Sequence, residues 1–330
     1  MRKTVLLLHT GGTLGMVRGR PHTLRPAPFA ESLRARVPEL TELANIELEL
    51  FSNTDSSEVQ PEAWLALAQR LHQRLPEVDG AVVTHGTDTL AYTASALSFL
   101  LPGLRRPVVL TGSQRPLGEV RSDARLNLID AVTSALRGPA EVTVCFDSHL
   151  FRGNRTLKVK VADYDAFASP NFPPLGTLGV HTHFQPGLRP KGRPRVLAAL
   201  EPRVFLLKVF PGLNPSLPLA LLPQVRGLVV EAYGAGNVPV DGSTGRSLLP
   251  LFRAARARGV PVLVVSQAPR SAVELGLYEG GAAIREEGAM DGGDLTVPAA
   301  VTKLMCGLAL YSGAQALRRY LETSVAGERS

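Results

Sequence analysis

Two threonines, each set just after an apolar run and beside glycine, carry the strongest chemical signal in this sequence. The first lies in Val5-Leu-Leu-Leu-His-Thr-Gly-Gly-Thr13 and the second in Ala81-Val-Val-Thr-His-Gly-Thr87-Asp88-Thr89. Both read as a buried strand, a sharp glycine turn and a hydroxyl held at the strand's carboxyl end, the edge at which open α/β sheets bind ligands. A hydroxyl is a poor nucleophile until one group takes its proton and others stabilise the oxyanion that forms. Two hydroxyls and the Asp88 carboxylate aimed into one crevice are the parts of a nucleophilic, amide-cleaving site. Thr87 and Asp88 are expected at a helix N-terminus, where free N–H groups can hold an anion. Taken alone, either residue reads equally well as the helix cap. Gly11 and Gly12 let the backbone approach a ligand closely, although a plain turn reads the same way. Their spacing does not fit the Gly-x-Gly-x-x-Gly of a dinucleotide loop, and the Gly-Lys-Ser/Thr of a phosphate loop is missing.

Regular elements must hold these residues in place. Val5–His9, Ile46–Phe51, Ala81–Thr84, Pro107–Thr111 and Val142–Phe146 read as strands. Pro61–Leu75 reads as a helix with Trp64, Leu67, Leu71 and Leu75 on one face, and further helices are expected from Thr87 to about Leu100 and over Ser122–Leu136, the last capped by Ser122 or Asp123. Strands separated by helices argue for an α/β fold, a mostly parallel sheet flanked by helices. After His183 the composition changes. Gln185-Pro-Gly-Leu-Arg-Pro-Lys-Gly-Arg-Pro194 has no apolar period and reads as a linker. Strands over Val204–Val209, Gly227–Glu231 and Val260–Val265 then resume, with helices over Leu217–Leu222, Leu248–Arg258 and Ala299–Leu310. The expected organisation is a larger N-terminal α/β domain over residues 1–184, a linker over 185–203 and a smaller parallel-sheet α/β domain over 204–330.

Composition excludes several other classes. Hydrophobic residues make up 45% and charged residues 20% of the 330, as in an ordinary globular protein. The formal charge of +7 comes from basic residues scattered along the chain, with no RNA-binding motif beside them, so no nucleic-acid partner is expected. Cys145 and Cys306 sit in apolar segments and read as packed free thiols; the histidines show no paired metal spacing. No apolar stretch approaches a membrane span, and the opening apolar run leads into Thr10-Gly-Gly-Thr13 rather than a cleavage site. A cytoplasmic location is expected.

The ordered motifs together closely resemble the bacterial L-asparaginase family. Thr10-Gly-Gly-Thr13 and His85-Gly-Thr-Asp-Thr-Leu-Ala-Tyr-Thr-Ala94 look like its two signatures. The resemblance continues through Asp55-Ser56-Ser57, Thr111-Gly-Ser-Gln-Arg115, Arg152-Gly-Asn-Arg-Thr156, Asp165-Ala-Phe-Ala-Ser-Pro-Asn171, Tyr233-Gly-Ala-Gly-Asn237 and Gly292-Gly-Asp-Leu-Thr296. It covers nearly the whole chain, and the length resembles the cytoplasmic type I branch.

The resemblance implies that Thr13 is the nucleophile, forming a β-aspartyl ester that water hydrolyses. Thr87, Asp88 and Lys158 would form a second polar triad. Gly12, Asp55, Ser56, Ser57, Thr87 and Asp88 would surround the substrate, with Asn237 and Glu274 among the binding residues. A lysine acting as a base must spend time neutral, which a neighbouring carboxylate opposes. Many relatives carry a tyrosine about ten residues after the first threonine, whereas Leu14 to Ala30 contains none, and Thr23 and Leu24 fall nearest that position. Tyr278, with Glu274, is the candidate replacement, arriving from the second domain of a neighbouring subunit. Some type I relatives also bind asparagine at an allosteric site that uses a threonine and an arginine. The corresponding positions here are Leu157 and Glu231, and Val265-Ser-Gln-Ala-Pro269 lacks a cysteine found in some of them. A carboxylate in place of a cation would repel the effector, so simple saturation is expected.

The resulting expectation is an L-asparagine amidohydrolase that needs no metal or cofactor and assembles as a homodimer or homotetramer. Two other readings stay open: a glutamine-preferring amidohydrolase, and a catalytically weak asparagine- or aspartate-binding protein. The amidase component of a transamidation complex usually has an extra N-terminal domain, and Thr13 lies close to the start of this chain.

Overall fold

The computed structural model describes residues 2–18, 24–26 and 29–330. The chain divides into two compact units, Met1–Ala198 and Ala199–Ser330.

The first unit is built on an eight-stranded sheet. Five strands run parallel in the spatial order Asn45–Leu50, Thr4–His9, Gly80–Thr84, Val108–Thr111 and Val142–Phe146. Val5, Leu6, Leu7 and Leu8 are all fully buried, the signature of a strand covered on both faces. The next parallel strand in the chain after Thr4–His9 pairs on one side of it and the third pairs on the other, so the strand order reverses there. Such a switch point opens a crevice beyond the carboxyl ends. Register brings the motifs to one line: His9 lies level with Leu50 and Thr84, and Thr84 with Thr111. The loops that carry Thr13, Asp55, Thr87 and Gln114 therefore all leave the same edge.

The helix over Pro61–Arg74 starts on its proline and buries Trp64, Leu67 and Leu71. The helix expected from Thr87 begins instead at Leu90, and residues 87–89 form a turn. Thr89 donates its hydroxyl to the Ser56 carbonyl at 2.7 Å rather than capping the helix, and the first helical bond runs from Thr93 N–H to Thr89 C=O. Asp123 precedes the Ala124–Arg137 helix without capping it. Its carboxylate accepts the Gln114 and Arg115 N–H groups, while Ser122 Oγ accepts the Ala124 N–H at 3.1 Å.

Beyond Phe146 the sheet turns antiparallel through His149–Arg152, Gly176–Leu178 and Thr182–Phe184, three strands that the apolar pattern does not reveal. The reversal uses Asp147 and Ser148, both at positive φ (47° and 58°), in a two-residue hairpin turn that normally selects glycine or asparagine. The proline-rich stretch after it is held along the first unit: Gln185 N–H bonds Leu175 C=O and Leu197 N–H bonds Leu100 C=O.

The second unit has a four-stranded parallel sheet in the order Val204–Lys208, Gly227–Ala232, Val262–Ser266 and Met290–Asp291. Its core gathers Val230, Leu251, Phe252, Val264 and Ile284. Cys145 and Cys306 are buried and free, one in each unit. Among the described residues no helix is long and apolar enough to cross a membrane, and no group of three or more His, Cys, Asp or Glu could hold a metal ion.

Candidate active site

The glycine turns make the crevice possible. Gly11 (φ 113°) lies so close to the backbone of Thr54 that a Cβ would sit 2.3 Å from its carbonyl oxygen. A Cβ on Gly12 (φ 87°) would lie 2.5 Å from Gly86 Cα. Two residues thus satisfy two demands at once, a left-handed backbone and close contact with both neighbouring loops. Gly86 in turn packs under Ser56, whose Oγ would be 2.5 Å from an added Cβ. The Thr13 loop, the Asp55–Ser57 loop and the Thr87–Asp88 turn are wedged together by these contacts. Thr13 opens a single helical turn, Thr13–Gly15, and is half-buried; its hydroxyl makes no hydrogen bond to another described residue.

Thr87 is buried and Asp88 exposed, and Lys158 joins them. Lys158 Nζ donates to Thr87 Oγ1 at 2.8 Å and to Asp88 Oδ1 at 2.6 Å. Lys158 reaches them from a short strand, Leu157–Lys158, paired antiparallel to Phe167–Ala168. The residue two before Lys158 is anchored: Thr156 is buried, and its hydroxyl donates to Arg152 C=O at 2.8 Å. Asp55 accepts both the N–H (2.9 Å) and the hydroxyl (2.7 Å) of Ser57, and these bonds hold its carboxyl below the usual range. It stays an anion at neutral pH beside the crevice.

Two buried histidines brace the turns. His85 Nδ1–H donates to Gly86 C=O at 2.8 Å, so its Nε2 must accept, and Thr93 Oγ1 supplies the proton at 3.0 Å. Trp64 Nε1–H donates to Thr93 in turn at 3.0 Å, completing a chain that fixes one neutral tautomer. Burial lowers the affinity of His85 for a second proton. His9 is stacked on Phe29 and bonded to Thr84 Oγ1 at 2.8 Å, and burial pushes its pKa down to about 4. Both imidazoles are therefore neutral at neutral pH, and both serve as scaffold.

One residue of the site escapes the reading from sequence. Gln114 touches Thr87, its Oε1 accepting the Thr87 hydroxyl at 3.3 Å. It belongs to the Thr111-Gly-Ser-Gln-Arg115 motif, and its place just past a core strand was the available signal. Of the two residues nearest the tyrosine's expected position, Thr23 lies outside the described residues, as does the side chain of Leu24.

Asn237, Glu274 and Tyr278 belong to the second unit and gather at the carboxyl edge of its sheet. Asn237 closes a turn back to Tyr233, and Glu274 N–H bonds Ala235 C=O. A Cβ on Gly280 would lie 2.2 Å from Asn237 Oδ1, so the start of the Glu279–Glu286 helix rests on that turn. Tyr278 is 56% exposed there. A cavity of about 710 Å³ in this unit lies at the opposite, amino edge of the sheet, lined in part by Arg226, Arg258 and Tyr311, and contains none of the candidate residues.

A switch-point crevice with threonine hydroxyls, a lysine and two carboxylates around it is the arrangement of an α/β hydrolytic enzyme. Residues 4–188 match the family model "Asparaginase, N-terminal", and residues 203–321 match "Glutaminase/Asparaginase C-terminal domain". L-asparaginase 1 of Escherichia coli strain K12 is 35% identical over 335 residues, covering 99% of this chain and 98% of that protein. The solved structure of the thermostable L-asparaginase from Thermococcus kodakarensis superposes with a TM-score of 0.91 at 34% identity, covering 99% of each chain. A glutamyl-tRNA(Gln) amidotransferase component of Pyrococcus furiosus is 33% identical over 340 residues, covering 98% of this chain and 76% of that one. The chain belongs to the asparaginase family of amidohydrolases.

Proposed function

We propose that this protein hydrolyses L-asparagine to L-aspartate and ammonia through a threonine ester. Thr13 Oγ attacks the side-chain amide carbon, its proton leaves with the departing nitrogen as ammonia, and a β-aspartyl ester forms. Water then adds to the ester, releasing aspartate and restoring the Thr13 hydroxyl. Thr87, Lys158 and Asp88 act as the second triad, with Asp88 also paired to the substrate ammonium. Asp55, Ser56 and Ser57 hold the substrate's α-groups, with Gly12 giving the backbone its close approach. Tyr278, Glu274 and Asn237 reach the site from the second unit of a neighbouring protomer in a homodimer or homotetramer, and Tyr278 supplies the hydroxyl that the N-terminal loop lacks. No metal or cofactor enters the scheme, and the enzyme works in the cytoplasm.

The observation that carries this reading is the contact of Lys158 Nζ with both Thr87 Oγ1 (2.8 Å) and Asp88 (2.6 Å) at the switch-point edge. The similarity to L-asparaginases over almost the whole chain supports the substrate. One methylene separates glutamine from asparagine, worth about 1–3 kcal/mol in an ordinary pocket. The test is ammonia release from L-asparagine and L-glutamine by wild type, Thr13→Ala and Thr87→Ala. Release from asparagine, abolished in both variants, is expected. Faster release from glutamine would transfer the reading to that amide, and aspartate binding with no ammonia from either would leave a binding protein.

A further inference from the structure

Gln114 sits where the two halves of the Thr87–Lys158 contact are held against each other. Its Nε2 donates to two carbonyls, Val161 at 2.7 Å and Asp163 at 3.1 Å, in the loop that follows Lys158. A flipped amide would turn Oε1 toward both carbonyl oxygens, so the orientation of the side chain is determined by its partners. Oε1 therefore faces Thr87 and accepts its hydroxyl at 3.3 Å. The backbone below is fixed as well. Asp123 accepts the Gln114 N–H at 2.9 Å and the Arg115 N–H at 3.1 Å, and Asn127 Nδ2 bonds both Asp123 (3.1 Å) and Gly112 C=O (3.0 Å).

The consequence for Thr87 follows from hydrogen-bond polarity. An ammonium has three donors and no acceptor. While Lys158 donates to Thr87 Oγ1, the Thr87 proton must point elsewhere, and Gln114 Oε1 is the acceptor it meets. We infer that Gln114 is a positioning residue of the proposed reaction, holding the Thr87 proton away from Lys158 and bracing the Lys158 loop at the distance that contact requires. The inference rests on Thr87 taking part in amide hydrolysis and deepens that reading. Gln114 acts through Thr87, so it is expected to govern turnover more than substrate capture.

The experiment compares wild type, Thr87→Ala, Gln114→Met and Gln114→Glu in steady-state ammonia release from L-asparagine, with amide hydrogen exchange over residues 159–166. Methionine keeps the length and removes all three hydrogen bonds. Glutamate keeps an oxygen for the Thr87 proton but sets its other oxygen against Val161 and Asp163. Gln114→Met is expected to lower kcat about tenfold, one hydrogen bond's worth, with KM changed less than about threefold. Gln114→Glu is expected to recover part of that kcat while exchange at 159–166 is accelerated in both variants. A kcat for Gln114→Met within twofold of wild type, beside an inactive Thr87→Ala, overturns the inference and leaves the amidohydrolase reading standing. Glutamate no better than methionine overturns the acceptor role, and unchanged exchange overturns the brace. An active Thr87→Ala removes the inference together with its premise. A wild type that releases no ammonia defeats the reading of function, and exchange still decides on the brace.

Discussion

Two lysine–carboxylate contacts in this protein have the same length and opposite surroundings. Lys158 meets Asp88 at 2.6 Å in the first unit, and Lys303 meets Glu328 at 2.6 Å in the second. The Lys303 and Glu328 side chains are both fully buried, whereas the Asp88 side chain is 68% exposed. Lys303 spends its remaining donors on Leu321 C=O and Thr323 C=O, and Glu328 also accepts the Val325 and Ala326 N–H groups. That pair is saturated and closed, and its product is structure: it clamps the C-terminal tail, whose Arg329 bonds Asp291 C=O at 2.9 Å. Lys158 instead shares itself between a carboxylate and a hydroxyl at a sheet edge made for ligands. Distance alone does not separate the two contacts; the chemistry of the third partner and the access around it do.

The same substitution at both lysines breaks the comparison most sharply. Lys158→Met is expected to reduce ammonia release about 10³-fold, the scale of lost acid–base participation, and to move stability by no more than about 1 kcal/mol, because its carboxylate partner stays solvated. Steady-state assay and urea titration of one preparation check both halves. A variant that keeps its activity would make Lys158 another clamp. Lys303→Met should behave in the reverse manner, losing about 3–5 kcal/mol by leaving the Glu328 carboxylate buried without its cation. Turnover per folded molecule stays at the wild-type level. The double variant Lys303→Met/Glu328→Leu should regain most of that stability, since apolar replacement of a buried pair is often neutral or favourable. Burial already pushes the Lys303 ammonium toward its neutral form, against the pull of Glu328.

A buried carboxylate that lacks a lysine sharpens the point. Asp130 accepts a hydrogen bond from Ser148 Oγ at 3.2 Å and makes no ion pair with another described residue. Burial raises its pKa from 3.8 to about 6. A carboxyl raised in the folded state binds its proton more tightly there than in the unfolded chain. Its stabilising contribution is complete below about pH 4 and disappears as pH rises through 6. Asp130→Asn removes this dependence. Relative to wild type it should gain stability between pH 4 and pH 7.5, by up to about 3 kcal/mol. Denaturant midpoints at the two pH values measure the gain, and parallel shifts at both would mean that Asp130 does not titrate in that window.

The contrast also explains what could be read from the sequence. Strand cores such as Val82-Val-Thr84 and the glycine turns after them announce themselves locally, because burial on two faces and close backbone approach each demand a narrow set of residues. The helix expected from Thr87 starts at Leu90 because Thr87 and Thr89 use their hydroxyls on other loops, which no local rule records. Asp123 looked like a cap for the same reason. The hairpin at Asp147-Ser148 carries no glycine, so nothing local marks the three antiparallel strands that follow it. Lys303 and Glu328 lie 25 positions apart on a helix and a tail, and neither suggests the other. The candidate site was more legible than the packing around it. Its parts are short motifs at strand ends, while Gln114 and the two histidines act through contacts that only the folded chain reveals.

A third lysine–carboxylate contact bears on regulation and carries the smallest expected effect. Lys208 meets Glu231 at 3.2 Å in the second unit, with the lysine side chain 63% exposed. An exposed pair of this kind contributes at most about 1 kcal/mol, so its importance is the sign of the charge it leaves in place. Glu231 stands where the resemblance to allosteric type I enzymes would put an arginine, and Leu157 stands where it would put a threonine. An effector placed as in those enzymes would have its α-carboxylate set against a carboxylate, and Leu157 offers no hydroxyl to replace the lost contacts. Ammonia release is therefore expected to follow simple saturation in L-asparagine, with a Hill coefficient of about 1. A sigmoidal curve would require a second asparagine site built from other residues. If Glu231→Ala left that curve unchanged, the position would be shown to play no part in it.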